Sequence, residues 1–345
     1  MSSQPPPPPP PPSPHPHPHP PLPGDTPPGK PAPSDTLQAL LSGLIDYAGL
    51  YPPAKLPMPQ AVQNYAAHLR SPQAWMLGRF ICPVSRLEEL KQTAGALLPR
   101  GDESEEHLAE PWPISAIIDG DLDEDLDAVF AFNHEHCEPR NGLANVDAVE
   151  IKATSFAMID AALETMPEEI FPFFEIPIEP GGTGPGADMR GFIAALSGSD
   201  AGAKLRSGGV TAGAFPSPAQ VAEFIIACDA ADVPFKATAG LHHPLRSEHP
   251  LTYEPDCPRA LMHGFLNVFL AAAFVREGNM VSPDVVALLE ETDVKRFRFS
   301  DASACWRNRQ LEVSHVAGAR ESFALSYGSC SFEEPVADLK ILGLL

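Results

Sequence analysis

Ionisable residues recur at alternate positions of short apolar segments, which gives each segment one charged face and one apolar face if it is a strand. In 146–153, Glu150 and Lys152 share a face opposite Val149 and Ile151. Phe173, Glu175 and Glu179 lie opposite Phe174, Ile176 and Ile178, and Lys204 and Arg206 lie opposite Ala203 and Leu205. Lys236 and Thr238 oppose Phe235, Ala237 and Ala239, and Arg296 and Arg298 oppose Phe297 and Phe299. A lysine amine attacks a carbonyl only when neutral, and a second cation nearby together with desolvation favours that form. Carboxylates such as Glu150 and Glu175 can then move protons at the reacting carbon. Glu150, Glu175, Lys152, Lys204, Arg206 and Lys236 make four cations and two anions, a surplus suited to an anionic substrate. The competing reading is a buried salt-bridge network with no reaction attached to it.

Something must hold these faces together. Beyond Asp35 the chain alternates apolar runs with amphipathic segments. Strands are predicted near 44–51, 75–83, 112–119, 146–153, 171–179, 202–208, 234–240 and 296–302, and helices near 58–70, 85–97, 122–136, 156–165, 187–197, 217–231, 261–277 and 315–327. Start signals support several helices: Ser85, Asp121, and Ser217 with Pro218. Eight strand–helix units in a single domain spanning 36–345 predict an α/β fold, a (β/α)8 TIM barrel, with a doubly wound open sheet as the rival. Helices cover the apolar strand faces, so the charged faces point inward, which favours the barrel. Unpaired charges there would be costly, and they must pair or meet a ligand. Ligand chemistry in such barrels sits at the C-terminal strand ends, nearest Lys152, Arg206, Thr238 and His242.

Two adjacent units, Ala203-Lys204-Leu205-Arg206-Ser207-Gly208-Gly209 and Phe235-Lys236-Ala237-Thr238-Ala239-Gly240, resemble two strands of class I (Schiff-base) aldolases of the deoxyribose-phosphate aldolase type. The resemblance covers about 40 residues. It implies a carbon–carbon lyase with Lys204 as Schiff-base lysine and Lys236 as the cation that lowers its pKa. It also implies an acidic proton relay at Asp147, although a regular strand turns Asp147 away from Lys152, leaving Glu150 or Glu175 for that role. The segment Phe299-Ser300-Asp301-Ala302-Ser303 lacks the glycine of that family's phosphate cradle, and Arg206 with Ser207, Gly208 and Gly209 is the anion-binding alternative. The stretch His242–Arg246 and the loop 242–260, a candidate lid, depart from the family.

The predicted activity is therefore a Schiff-base lyase acting on a small anionic carbonyl compound, with no metal and no cofactor. Lys204, Lys236, Glu150, Lys152 and Glu175 are the catalytic candidates, and Arg206, Ser207, Gly208, Gly209, Thr238 and His242 the substrate-binding ones. A metal-dependent barrel enzyme would instead draw ligands from Glu150, Glu175, His242 and His243. A non-enzymatic binding or scaffold barrel would use the N-terminal 1–35, where 18 prolines and alternating histidines read as a disordered polyproline tail suited to a proline-recognition partner.

The remaining features narrow the class. A formal charge of −22 argues against nucleic-acid and anionic-membrane binding. No apolar stretch reaches a membrane span, Leu261–Val275 being interrupted by His263, Gly264 and Asn267. Six scattered cysteines without a CxxC pair, and no secretion signal, predict free thiols in the cytoplasm. A homo-oligomer is compatible with the sequence. The glycine-rich 181–186 lacks the lysine of a P-loop, the acidic run 119–127 is read as capping a helix, and Cys330 is read as structural because no base adjoins it in sequence.

Overall fold

The computed structural model describes residues 32–100, 110–178, 188–278 and 280–345. Seven parallel strands follow the predicted positions: β1 (Ile45–Tyr47), β2 (Leu77–Pro83), β3 (Trp112–Ile117), β4 (Ala144–Lys152), β5 (Phe171–Glu175), β6 (Gly202–Arg206) and β7 (Phe235–Thr238). An excursion then forms an antiparallel hairpin, β8 (Ser247–Pro250) with β9 (Arg259–Met262), and a three-stranded sheet, β10 (Phe297–Phe299), β11 (Ser303–Trp306) and β12 (Arg309–Glu312). The last strand, β13 (Ala324–Ser329), pairs in parallel with both β7 and β1 and closes an eight-stranded barrel.

The helices are α1 (Asp35–Leu41), α2 (Met58–His68), α3 (Leu87–Ala94), α4 (Leu122–His136), α5 (Phe156–Thr165), α6 (Met189–Ala194), α7 (Pro218–Ala230), α8 (Phe265–Arg276), α9 (Ser282–Leu289), α10 (Val313–Ser322) and α11 (Glu333–Ile341). Ser217 and Gln220 form a capping box on α7, with Pro218 in its first turn. Asp121 caps α4 by accepting from the backbone of Asp123 and Glu124, as the acidic run implied. Apolar on every side, α8 is buried from Phe265 to Val275 and packs on α7, α9 and α10. Among the described residues no helix is long and apolar enough to cross a membrane.

The end of the chain departs from the sequence expectation. The strand expected at 296–302 lies outside the barrel as β10, where Arg298 is exposed and donates to the carbonyl of Arg307. Arg296 and Arg298 therefore have no place in the interior. The helix expected at 315–327 stops at Ser322, and the barrel strand follows directly. That strand carries Ser326 and Gly328 on its inner face in place of a charge, so the alternation that marks the other strands is silent there. Asp35 belongs to α1, while residues 1–31 of the proline-rich tail and the glycine-rich 181–186 lie outside the described residues.

Three β-bulges interrupt the barrel ladder, one of them in β13, where Leu325 is the extra residue between the Ala324–Phe235 and Ser326–Lys236 pairs. β1 pairs Ile45 with Leu77 but Tyr47 with Phe80, so β2 has an extra residue opposite Asp46. The backbone N–H of Arg79 that this leaves out of the ladder donates to Asp46 Oδ1 at 2.8 Å. In β4, Val146 pairs with Ile114 and Ala148 with Ser115, which makes Asp147 the extra residue.

Candidate active site

The interior charges form one connected network. Lys236 Nζ lies 2.7 Å from Asp46 Oδ2 and 2.6 Å from Glu150 Oε1. Lys204 Nζ lies 2.7 Å from Glu150 Oε2 and 2.8 Å from Glu175 Oε2. Arg206 Nε donates to Glu175 Oε1 at 2.8 Å. Ser115 Oγ donates to Glu150 Oε1 at 2.8 Å, and Ser326 Oγ to Asp46 Oδ2 at 2.7 Å. Strand geometry produces this convergence: Glu150 sits on β4, Glu175 on β5, Lys204 on β6 and Lys236 on β7, each with its side chain on the inner face. Register then aligns Lys204 with both Glu175 and Lys236.

Three carboxylates thus meet three cations, and Asp46 is the member that the sequence argument passed over. Its signal was present, since Asp46 stands alone between Ile45 and Tyr47 in a predicted strand. With Asp46 counted, the positive surplus inferred from the other six residues disappears inside the barrel, because Lys152 stays outside the network. Lys152 is exposed at the end of β4 and lines a neighbouring cleft of about 250 Å3 with Thr154, Glu175, Arg206 and Phe215.

Burial and charge pull against each other here. Burial alone would neutralise Glu150, yet the adjacent Lys204 and Lys236 outweigh it and hold its carboxyl well below the usual range. Glu175 is held low in the same way by Lys204 and Arg206, against its own burial. Burial would depress Lys236, but Asp46 and Glu150 together keep its ammonium above the ordinary lysine value. Lys236 is fully enclosed and stands 5.3 Å from the centre of the Phe173 ring.

Lys204 differs from Lys236 in one respect that bears on chemistry. It borders a cavity of about 210 Å3 at the C-terminal strand ends, whose wall also includes Glu150, Arg206, Gly209, Thr238, His242 and Cys330. Gly328 keeps that cavity open, because a Cβ there would come 2.9 Å from Ile81 and 3.2 Å from the Thr238 hydroxyl. Ser207 and Gly208 do not face it. Ser207 Oγ donates to the Ala239 carbonyl at 2.6 Å and ties the β6 loop to the β7 loop. Gly208 packs so closely on Gly240 that a Cβ would lie 2.8 Å from the Gly240 Cα, and Gly240 itself has a φ of +72°. Asp147 is brought out of the regular alternation by its bulge, but both its oxygens accept from Arg79, at 2.7 and 2.8 Å.

The histidines after β7 are held in place rather than solvated. His242 Nδ1 lies 3.0 Å from Glu334 Oε2, and His243 Nδ1 lies 2.6 Å from Asp338 Oδ2, both acids being on α11. Most of the loop 242–260 named as a candidate lid is the β8–β9 hairpin, whose tip carries Tyr253 to 3.8 Å from Cys330 Sγ. Cys330 has His242 as a base neighbour, Nε2 standing 4.0 Å from the sulfur. That pairing spans 88 positions and has no local sequence signal. Among the described residues no cluster of three or more His, Cys, Asp or Glu donors converges as a metal site, and the four ligands considered for one are divided between lysine and carboxylate partners. All six cysteines are free thiols. Comparison with protein families, curated proteins and solved structures found no match to this chain.

Proposed function

We propose that the barrel is a Schiff-base lyase that acts on a small anionic carbonyl compound, with Lys204 as the nucleophile. One observation carries this reading: Lys204 borders the cavity while its Nζ touches two carboxylates, at 2.7 and 2.8 Å. Glu175 is the less deeply buried of the two and the better placed to take a proton from Lys204. The neutral amine then attacks the carbonyl carbon. The N–C bond forms, the C=O π pair becomes a hydroxyl, and that hydroxyl leaves as water when Glu175 returns the proton, which yields an imine. Cleavage of the next carbon–carbon bond sends its electron pair toward the iminium nitrogen, giving an enamine, while the hydroxyl on the departing carbon gives its proton to Glu175 and becomes a carbonyl. Protonation of the enamine carbon and hydrolysis by water then release the second product and free Lys204. Arg206 lies on both the cavity and the neighbouring Lys152 cleft, so a substrate anion placed between them would meet two cations.

Lys236 acts in this scheme by position. Its ammonium keeps Glu150 ionised and fixed, so that Glu150 holds Lys204 at the cavity wall.

A structural reading competes, because every charge in the network is matched and Lys236 is sealed from solvent. In that case the lysines serve only to fill and orient the barrel. Borohydride reduction in the presence of small aldehydes, ketones and sugar phosphates separates the two. The lyase reading expects a substrate-dependent mass increase that is lost in Lys204→Met. Absence of any adduct across the panel, or an adduct that survives in Lys204→Met, would overturn it.

A further inference from the structure

A second constellation occupies the rim of the same cavity. Cys330 immediately follows β13, at the C-terminal end where barrel chemistry is performed. His242 comes from the loop after β7, and Glu334 from the first turn of α11. Their contacts run in series: Cys330 Sγ to His242 Nε2 at 4.0 Å, then His242 Nδ1 to Glu334 Oε2 at 3.0 Å. A nucleophile, a base and an acid that orients the base are thereby lined up through opposite nitrogens of one imidazole. Both Cys330 and His242 are buried, and both line the 210 Å3 cavity that Lys204 also borders.

We infer that Cys330, His242 and Glu334 form a nucleophilic thiol relay, and that the cavity therefore carries a second covalent centre, one that takes the carbon of a small aldehyde. In that step the sulfur–carbon bond forms as the C=O π pair moves to oxygen. The oxygen takes the proton that His242 removed from the thiol, giving a thiohemiacetal with no oxidant or leaving group required. Glu334 holds His242 with Nε2 toward the sulfur and balances the imidazolium. The relay does not depend on imine formation, since none of its three residues touches Lys204's partners.

Other titratable groups face the relay. Tyr253 from the β8–β9 tip stands 3.8 Å from the sulfur. Tyr47 of β1 and Glu333 of α11 are close enough to interact electrostatically, and His243, paired with Asp338, adjoins His242. Burial lowers the proton affinity of His242, but its hydrogen bonds to Cys330 and Glu334 prevail and push it up to about 10. An imidazole that holds its proton is the form that favours a charged sulfur beside it.

Alkylation by iodoacetamide, followed residue by residue by peptide mass spectrometry between pH 6 and 9, tests the relay on the unmodified protein. An ordinary thiol slows roughly 200-fold over that range as its thiolate disappears, and exposed Cys137 serves as the internal reference. Cys330 is expected to slow less than tenfold. In His242→Gln, and to a lesser degree in Glu334→Gln, its profile should steepen toward that of Cys137. A Cys330 that follows Cys137 in the wild-type chain, or that does not react at any pH, would overturn the relay. For the aldehyde, the probe is glycolaldehyde applied to Lys204→Met, or to Lys204→Gln if the first variant does not fold. Reversible slowing of Cys330 alkylation is expected there, and its absence would overturn the assigned substrate class while the imine reading stood or fell on its own test.

Discussion

Lys204 and Lys236 are register neighbours on adjacent strands, share Glu150, and yet occupy two different regions of the barrel. Lys236 belongs to a sealed floor: it is wholly enclosed and donates to Asp46 and Glu150, which also accept from Ser326 and Ser115. Lys204 belongs to a wall: it borders open space, and its second partner, Glu175, is shared with a half-exposed arginine. The same residue type, displaced across one strand, passes from a sealed interior to the edge of open space. Neutralisation by carboxylates is common to both, so access, rather than charge, separates them.

The strongest way to break this contrast is Lys236→Met. Removing the ammonium leaves Asp46 and Glu150 facing each other without a shared cation in a sealed space, a loss of about 3–5 kcal/mol. Urea unfolding should show it, and a change below about 1 kcal/mol would mean that the floor is wetter or more adaptable than its geometry implies. Lys204→Met is expected to cost less, about 1–3 kcal/mol, because Glu150 keeps Lys236 and Glu175 keeps Arg206. A larger loss than that of Lys236→Met would invert the assignment of floor and wall.

Acid should sharpen the comparison. Glu150 and Glu175 have folded pKa values below their ordinary ones, so their contribution is complete above the unfolded value near 4.3 and disappears as pH falls below it. Each carboxyl contributes at most about 1.4 kcal/mol per pH unit to that decline. The urea midpoint should therefore drop from pH 5 to pH 3, and the slope should be shallower in Lys236→Met if that protein is folded at pH 6. Equal slopes would indicate that Lys236 does not hold Glu150 ionised. The smallest effect is expected for Arg206→Ala: less than about 1 kcal/mol of stability, because the guanidinium is half exposed. Its consequence should appear in substrate choice, with borohydride trapping of phosphorylated carbonyls reduced several-fold relative to neutral ones. An unchanged ratio would remove Arg206 from anion recognition.

Much of this contrast is written in the alternation of single strands. Glu150, Glu175, Lys204 and Lys236 each interrupt an apolar run at the inward phase, and period two suffices to place them. Asp46 obeyed the same rule but sat in a three-residue strand, too short for an alternation to stand out. β13 escaped because its inward residues are serine and glycine, which carry no contrast against their neighbours, and because Phe323 alone separates it from α10. Asp147 was misplaced by a bulge, which changes the phase without changing composition. The relay at Cys330 lay furthest beyond reach: Cys330 and Glu334 flank the β13–α11 connection, His242 follows β7 88 positions away, and they meet only after the barrel closes.

Peptide mapping of the borohydride-reduced wild-type protein bears most directly on the division between the two lysines. The expected result is label on the peptide containing Lys204 and none on Lys236, at every concentration of carbonyl compound that leaves the protein folded. Label on Lys236, or on neither lysine, would contradict it.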